Sequence, residues 1–214
     1  MNAPGPLYLI AAGTLAAAAY VWWSNSQAGA ADSSNSTDGG FFTGLADNMI
    51  SGVQNAFTDP VTATQNANVQ AFLRMIRVGE GTSGPNGYTT LFGGGQFTDL
   101  SKHPNIAVTR NGYTSTAAGA YQILYGTWLE AQAALGLPDF SPASQDLAAA
   151  WLIKRRGALA DVQNGAVDTA IAKCNREWAS LPGSPYGQPT VTLAQAETNF
   201  AAYGGVQTDA GVGV

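Results

Sequence analysis

An apolar stripe along residues 68–78, stopped abruptly by glycines, is the feature that most constrains the fold of this chain. The stripe consists of Val69, Phe72, Leu73 and Ile76. These residues recur at i, i+3, i+4 and i+7, which is the spacing of one buried face of a helix. The pattern ends at Gly79-Glu80-Gly81, and more glycines follow. The sequence therefore predicts a core helix that ends in a turn and places the carboxylate of Glu80 at the edge of the core.

A carboxylate in that position is suited to acid–base chemistry. Partial burial disfavours the charged form and raises the pKa, so Glu80 could hold a proton at neutral pH and act as a general acid. Taken alone, a glutamate at a helix end is more often an ordinary surface residue. The functional interpretation of Glu80 therefore depends on the rest of the chain.

A second informative segment is rich in small residues and runs from Ser115 to Tyr125, with the sequence STAAGAYQILY. Ser115 or Thr116 is a plausible N-cap, which predicts a helix carrying Tyr121 and Gln122 in its first turns. A phenol and an amide there could hydrogen-bond a polar ligand.

A glutamate at a helix end followed by such a Gly-Ala-Tyr-Gln-Ile segment resembles the lysozyme-like lytic transglycosylases. Further short matches make the chain similar to the phage lambda endolysin type, and they occur in family order over residues 66–205. They are Ala71-Phe-Leu-Arg-Met, Glu80-Gly-Thr, Asn86-Gly-Tyr, Gly93-Gly, Phe97-Thr-Asp, His103-Pro, Ser141-Pro-x-Ser-Gln-Asp, Arg156-Gly-Ala-Leu, Trp178-Ala-Ser-Leu-Pro-Gly and Tyr186-Gly-Gln.

The resemblance implies an α+β domain, mainly α, in which a small β-hairpin lobe faces a helical lobe with the catalytic acid between them. It implies a peptidoglycan lytic transglycosylase in which Glu80 is the catalytic residue, with no metal or organic cofactor. The candidate residues for binding the glycan strands are Gln122, Tyr121, Tyr186, Asn86 and Asp99. Where the family has a histidine before the Gly-Tyr pair, this chain has Asn86, so any role of that imidazole is lost or passed to an amide.

Two other functions remain open. A hydrolytic muramidase needs two carboxylates, and Asp99 is the nearest partner for Glu80 in sequence. Asp99 beside Ser101 is more typical of a turn-forming residue. The other alternative is a glycan-binding structural virion protein on an inactive lysozyme fold, although the presence of both Glu80 and Gln122 argues against it.

Composition excludes several classes of function. A net charge of −5 gives no electrostatic footprint for nucleic acid. One cysteine, Cys174, and one histidine, His103, are too few for a zinc site of the usual type. Cys174 lies on an apolar helical stripe within Val167–Trp178, which predicts a buried, inert thiol rather than the exposed nucleophile of a Cys–His peptidase.

The N-terminal part of the chain departs from the resemblance. Residues 7–23 are apolar, and as a helix they would span about 26 Å against about 30 Å of hydrocarbon. Aromatic residues at the end of this run suit a membrane interface. The sequence favours a retained single-pass anchor, with a cleaved signal ending near Ala28-Gly29-Ala30 or a signal-arrest-release segment as alternatives.

These patterns divide the chain into an anchor (1–23), a flexible and partly amphipathic linker (24–66), a catalytic domain (67–205) and a flexible tail (206–214). An enzyme anchored in a virion membrane or the host inner membrane, with its domain facing the periplasm and cell wall, suits a virion-associated phage protein that opens the wall locally during entry. Release of the anchor would instead suit host lysis.

Within the domain, a hairpin is predicted from Tyr88–Phe92 and Gln96–Thr98 around Gly93–Gly95. This glycine run lacks the ending of a phosphate-binding loop. Helices are predicted near 126–135, 144–156, 167–180 and 192–203. Trp128 and Trp151, on the first two of these, are predicted to lie in the core.

Overall fold

The computed structural model describes residues 59–209, which form a mainly helical domain with one small sheet. The helices are α1 (Pro60–Ala63), α2 (Ala67–Gly79), α3 (Tyr125–Leu135), α4 (Pro142–Arg155), α5 (Leu159–Gln163), α6 (Val167–Cys174) and α7 (Leu193–Ala202). The strands are β1 (Val108–Arg110) and β2 (Tyr113–Ser115). Among these described elements there is no helix long and apolar enough to span a bilayer. The predicted anchor and the linker as far as residue 58 lie outside the described residues.

Helix α2 has the features that its sequence predicts. The Asn66 side chain accepts hydrogen bonds from the backbone N–H groups of Asn68 and Val69, which satisfies two donors of the first turn. The apolar stripe is buried. At the other end Gly81 is left-handed (φ 70°), and the N–H of Thr82 donates to the Arg77 carbonyl at 2.8 Å. This is the glycine-terminated helix end of a Schellman motif, and it fixes where Glu80 emerges.

All seven described helices contribute buried apolar side chains to one core. Trp128 is fully buried and meets Phe140 edge to face, with ring centroids 4.6 Å apart. Cys174 is also fully buried, which confirms the predicted burial of its thiol, and burial raises the pKa of that thiol to about 12. Trp151 is only partly buried, and the Arg155 guanidinium lies 5.1 Å from its ring centroid.

The predicted hairpin around Gly93–Gly95 is wrong. That region forms two 3-10 turns, Gly87–Thr89 and Phe92–Gly94, with a single bridge between Thr90 and Gln96. The observed antiparallel pair is β1–β2, which turns at Asn111-Gly112, where both residues have positive φ (51° and 82°). An Asn-Gly pair adopts this two-residue turn readily, whereas Gly93-Gly94 have no side chains with which to hold a strand in register.

The domain boundaries also differ from the predicted ones at both ends. Residues 59–66 belong to the domain, because α1 packs on α4 and Ala63 is fully buried. Residues 206–209 are held as well: the Val206 N–H donates to the Asn68 side chain, and the Asp209 carboxylate accepts from the N–H groups of Asp168 and Thr169 at the start of α6. The first-turn donors of a helix need such acceptors, which is why this part of the predicted tail is fixed.

Candidate active site

Glu80 is the C-cap residue of α2, and its half-buried carboxylate meets Ser180. The Ser180 hydroxyl donates a 2.7 Å hydrogen bond to Glu80 Oε1. Burial raises the pKa of Glu80, and the hydrogen bonds from Ser180 oppose that rise only in part. The environment of Glu80 therefore favours its protonated form more than water does.

The close approach of Ser180 depends on Gly79. A Cβ at position 79 would lie 2.6 Å from Ser180 Oγ and 3.0 Å from Ser180 Cβ. Because glycine has no side chain there, the buried Ser180 can sit against the last turn of α2 and still reach Glu80.

Arg77 lies one turn before Glu80 on α2, but its guanidinium contacts other residues. Its guanidinium donates to the Thr82 carbonyl at 3.1 Å and lies over the Tyr88 ring, 4.5 Å from the centroid. The ion pairs within residues 59–209 involve other residues, and no cationic side chain lies within 4 Å of the Glu80 carboxylate. Without a nearby positive charge to favour the carboxylate, burial determines its protonation.

The turn after Glu80 is tied to the small-residue segment. The buried Thr82 donates its hydroxyl proton to the Ala120 carbonyl. The amide of Gln145 holds the same segment from the other side: its Oε1 accepts from the Ala120 N–H at 2.8 Å and its Nε2 donates to the Tyr88 carbonyl at 3.0 Å. A Cβ at Gly119 would lie 2.2 Å from Gln145 Oε1, so this clamp also requires a glycine.

Tyr121 borders a narrow cleft together with Gln122, but its phenol is turned into the domain. Its side chain is 2% exposed, and its hydroxyl donates a 2.6 Å hydrogen bond to Asp146. Tyr88 donates to the same carboxylate oxygen at 2.9 Å. Burial, with the charge of Asp146 beside them, raises the pKa of both phenols, that of Tyr88 to about 12. Tyr121, Tyr88 and Asp146 therefore form a largely buried cluster of hydrogen-bonded side chains next to the site.

Gln122 lies in a loop rather than in the first turns of a helix, since α3 begins only at Tyr125. Its backbone is left-handed (φ 47°). Its Nε2 donates to the carbonyls of Thr90 and Gly119 at 3.1 and 3.0 Å. The amide nitrogen is thus used by the fold, and the half-buried side chain borders a narrow cleft of about 50 Å³ with Thr127 and Trp178.

The other candidate glycan-binding residues are exposed, and none of them forms a hydrogen bond with the Glu80 side chain. Asn86 begins the first 3-10 turn without a side-chain capping bond. Tyr186 is 55% exposed and donates its hydroxyl proton to the Arg176 carbonyl at 2.9 Å. Asp99 accepts from the N–H and hydroxyl of Ser101 at 2.9 and 2.6 Å, and these bonds lower its pKa. That geometry is the turn-forming role of Asp99.

Ser180, Gln145 and Asp146 were not singled out from the sequence as site residues. Each lies inside a motif that carries the resemblance, Trp178-Ala-Ser-Leu-Pro-Gly or Ser141-Pro-x-Ser-Gln-Asp. The motifs mark these positions, but the contacts that define their roles join residues up to 100 positions apart.

Solved structures with the same fold define the class of the protein. The structure of phage lambda lysozyme in complex with a chitohexasaccharide is 40% identical, with 67% of this chain and 97% of that chain covered and a TM-score of 0.64. A second structure, lysozyme from bacteriophage lambda, gives a TM-score of 0.60 at the same identity and coverage. The fold is therefore that of the lambda lysozyme, mainly helical with a small two-stranded sheet.

The chain belongs to the endolysin family, whose model matches residues 70–207. It is 42% identical to the endolysin of Escherichia phage P2 over 163 residues, which cover 69% of this chain and 98% of the relative. It is 45% identical to the endolysin of Escherichia phage lambda over 130 residues, 58% of this chain and 82% of the relative. As an endolysin with a lysozyme-like fold, it is a peptidoglycan-degrading enzyme.

Proposed function

We propose that this endolysin is a lytic transglycosylase in which Glu80 is the only catalytic carboxylate. It cleaves the β-1,4 bond between N-acetylmuramic acid (MurNAc) and N-acetylglucosamine (GlcNAc) in peptidoglycan and leaves a 1,6-anhydro end. The main support is the environment of Glu80: a half-buried carboxyl group whose pKa is raised by burial, with a hydroxyl rather than a second carboxylate as its partner.

The reaction can be written with Glu80 alone. The carboxylic acid donates its proton to the glycosidic oxygen as the bond from that oxygen to MurNAc C1 breaks, and the GlcNAc unit leaves with a new hydroxyl. The C6 hydroxyl oxygen of the same MurNAc then bonds to C1, and its proton passes to the Glu80 carboxylate. No water is consumed, and Glu80 ends in the protonated state in which it began. Ser180 stabilises the carboxylate formed between the two steps, because it donates to that oxygen.

The alternative is a hydrolytic muramidase that also uses Asp99. Retaining and inverting hydrolases place a second carboxylate across the scissile bond, roughly 5–10 Å from the acid. Asp99 is exposed, both of its hydrogen bonds come from Ser101, and they lower its pKa. These observations favour a structural role for Asp99 and hence the transglycosylase.

Two substitutions and an analysis of products test this proposal. Glu80→Gln keeps the shape of the side chain but cannot supply the proton, so turnover of purified peptidoglycan should fall at least about 100-fold. Asp99→Asn is the matched control, since it makes the same change at the other carboxylate, and it should keep most of the activity. Mass spectrometry should find 1,6-anhydro ends. Reducing-end muramic acid as the main product, with an inactive Asp99→Asn variant, would establish the hydrolase.

We further propose that residues 1–23 anchor the enzyme in a virion or host inner membrane, with the catalytic domain facing the wall for local opening during phage entry. The apolar run 7–23 supports this, as does its position before the family match, which begins at residue 70. The anchored chain should sediment with membranes. A soluble chain whose N-terminus begins near Ala31 would instead establish a cleaved signal.

A further inference from the structure

A cationic groove without an assigned role lies beside the helix that carries Glu80. It is lined by Arg74, Arg77, Ser83 and Tyr203, and its volume is about 170 Å³. Arg74 and Arg77 come from α2, and Tyr203 caps the end of α7, which packs along α2. The groove is smaller than the roughly 300–1,000 Å³ of a site that encloses a drug-sized ligand, so it suits one small polar group of a larger substrate.

The two arginines form a concentration of positive charge that the domain does not neutralise by an ion pair. Within residues 59–209 neither guanidinium has a carboxylate oxygen within 4 Å, whereas Arg155, Arg156 and Lys173 do. Arg74 and Arg77 are three residues apart on one helix, where like charges repel each other. An anion in the groove would relieve this repulsion.

Both guanidiniums are already positioned. The exposed Arg74 lies over the Tyr203 ring, 5.9 Å from its centroid. Arg77 is fixed by the Thr82 carbonyl and the Tyr88 ring. Positioned side chains lose less conformational freedom when a ligand binds, so the groove is better prepared for an anion than a pair of free surface arginines.

Asp146 is the acidic residue whose charge both arginines influence, but it does not occupy the groove. Its carboxylate accepts hydrogen bonds from Tyr88 and Tyr121. Burial raises the pKa of Asp146, and the hydrogen bonds from Tyr121 and Tyr88, followed by the charges of the two arginines, oppose that rise only in part. Asp146 is not among the residues that line the groove, so its carboxylate does not block a ligand there.

The groove and the catalytic acid share one end of α2. Arg77 lies three residues before Glu80 in the last turn of α2, and Ser83 follows in the turn after the helix has ended. Side chains three apart on a helix are surface neighbours, with Cβ atoms roughly 5–6 Å apart. A sugar bound at Glu80 would therefore lie at the same end of α2 as the Arg77 side of the groove.

We infer that this groove binds a carboxylate carried by the MurNAc unit, either the lactyl carboxylate of an unsubstituted sugar or a carboxylate of the attached stem peptide. Arginine matches this chemistry because its planar guanidinium donates two parallel hydrogen bonds to a carboxylate. The groove would then distinguish peptidoglycan from a neutral glycan such as chitin, in which every sugar lacks a carboxylate. This inference rests on the proposed function for its substrate.

The test measures binding apart from catalysis. In the full chain with Glu80→Gln, affinity is measured by calorimetry for three probes: a chitin hexamer, MurNAc-containing strands freed of their peptides by an amidase, and strands that keep the stem peptide. Arg74→Gln is then added to the same background. Lys154→Gln is the matched control, because it removes one exposed positive charge from the last turn of α4, outside the groove.

Arg74→Gln should weaken binding of the carboxylate-bearing strands about three- to ten-fold, less at high salt, and leave binding of the chitin hexamer unchanged. Lys154→Gln should change neither. A loss only for the amidase-treated strands would identify the lactyl carboxylate, because the stem peptide otherwise occupies it as an amide. A loss only for the stem-bearing strands would identify a carboxylate of the peptide, and a loss for both would show that the groove accepts either one. Equal losses for chitin and peptidoglycan strands, or the same losses in Lys154→Gln, would overturn the inference. Because the variants are inactive, none of these results depends on whether cleavage is by transglycosylation or hydrolysis.

Discussion

Gly79→Ala tests the packing that holds Ser180 against Glu80. Alanine in place of a helical glycine usually stabilises a helix, by about 0.5–1 kcal/mol. Gly79 has no positive φ that would forbid alanine, so backbone conformation does not oppose the change. The new Cβ, however, would lie 2.6 Å from Ser180 Oγ and 3.0 Å from Ser180 Cβ. Overpacking of this kind costs about 1–3 kcal/mol.

A matched control exists at Gly126 in the first turn of α3. A Cβ there has no atom of the described residues within 4 Å, so Gly126→Ala should be neutral or stabilising by up to about 1 kcal/mol. Because both changes add one methyl group to a helical glycine, the difference between the two variants reports the contact with Ser180. We expect that difference to be about 1–3 kcal/mol, measured by urea unfolding at constant m-value.

The contact between position 79 and Ser180 should also affect the rate at which peptidoglycan is cleaved. Ser180 can relieve part of the clash by rotating its hydroxyl away, but it then no longer donates to Glu80 Oε1. A lost hydrogen bond to a charged group is worth about 1.5–3 kcal/mol, so cleavage of peptidoglycan by Gly79→Ala should fall by about ten-fold or more, at a temperature where both variants are folded. If Gly79→Ala gained as much stability as Gly126→Ala and kept full activity, Ser180 would not be held against the end of α2.

Two further predictions concern the Ser180 hydroxyl and the first residues of the domain. Ser180→Ala removes a donor that lowers the pKa of Glu80, so that pKa should rise further. The acid should stay protonated to higher pH, which moves the alkaline limb of the kcat/KM profile upward. An unchanged limb would mean that Ser180 does not influence the proton. Deletion of residues 1–58 should leave the domain intact, whereas deletion of 1–66 also removes the Asn66 cap and the buried Ala63. The longer deletion should cost about 1–3 kcal/mol, or several degrees in melting temperature, and equal melting temperatures would contradict the assignment of α1 to the domain.

Local patterns in the sequence predict the elements that are determined locally. The stripe of α2, its glycine-terminated end and the burial of Cys174 follow from periodicity and from the conformations that glycine allows. The position of the hairpin was also predictable, because Asn111-Gly112 lies between alternating residues of strand type. The hairpin was instead predicted around the longer glycine run at 93–95, because that run was interpreted as the turn between two strands.

The contacts made by residues distant in sequence were not predictable in this way. Asp209 is near the end of the chain, where frayed residues are common, yet it caps α6. Tyr121 has an amphipathic side chain suited to a sugar, but Asp146 accepts its hydroxyl proton inside the domain. In both cases an unpaired polar group would cost free energy, and the partner that satisfies it is apparent only in the folded chain.

The backbone conformation of Gln122 is the feature of the site that is hardest to predict from the sequence. Glutamine rarely adopts a left-handed backbone, and that conformation costs roughly 1–2 kcal/mol. Here two bonds from its own amide, to Thr90 and Gly119, hold the residue in it. The same short segment includes Ala120, whose carbonyl accepts a hydrogen bond from Thr82, two residues after Glu80. Strain of this kind persists only where the surroundings enforce it, and it concentrates at functional sites. The observed contacts of the Gln122 amide therefore hold the backbone of the segment that binds the turn after Glu80.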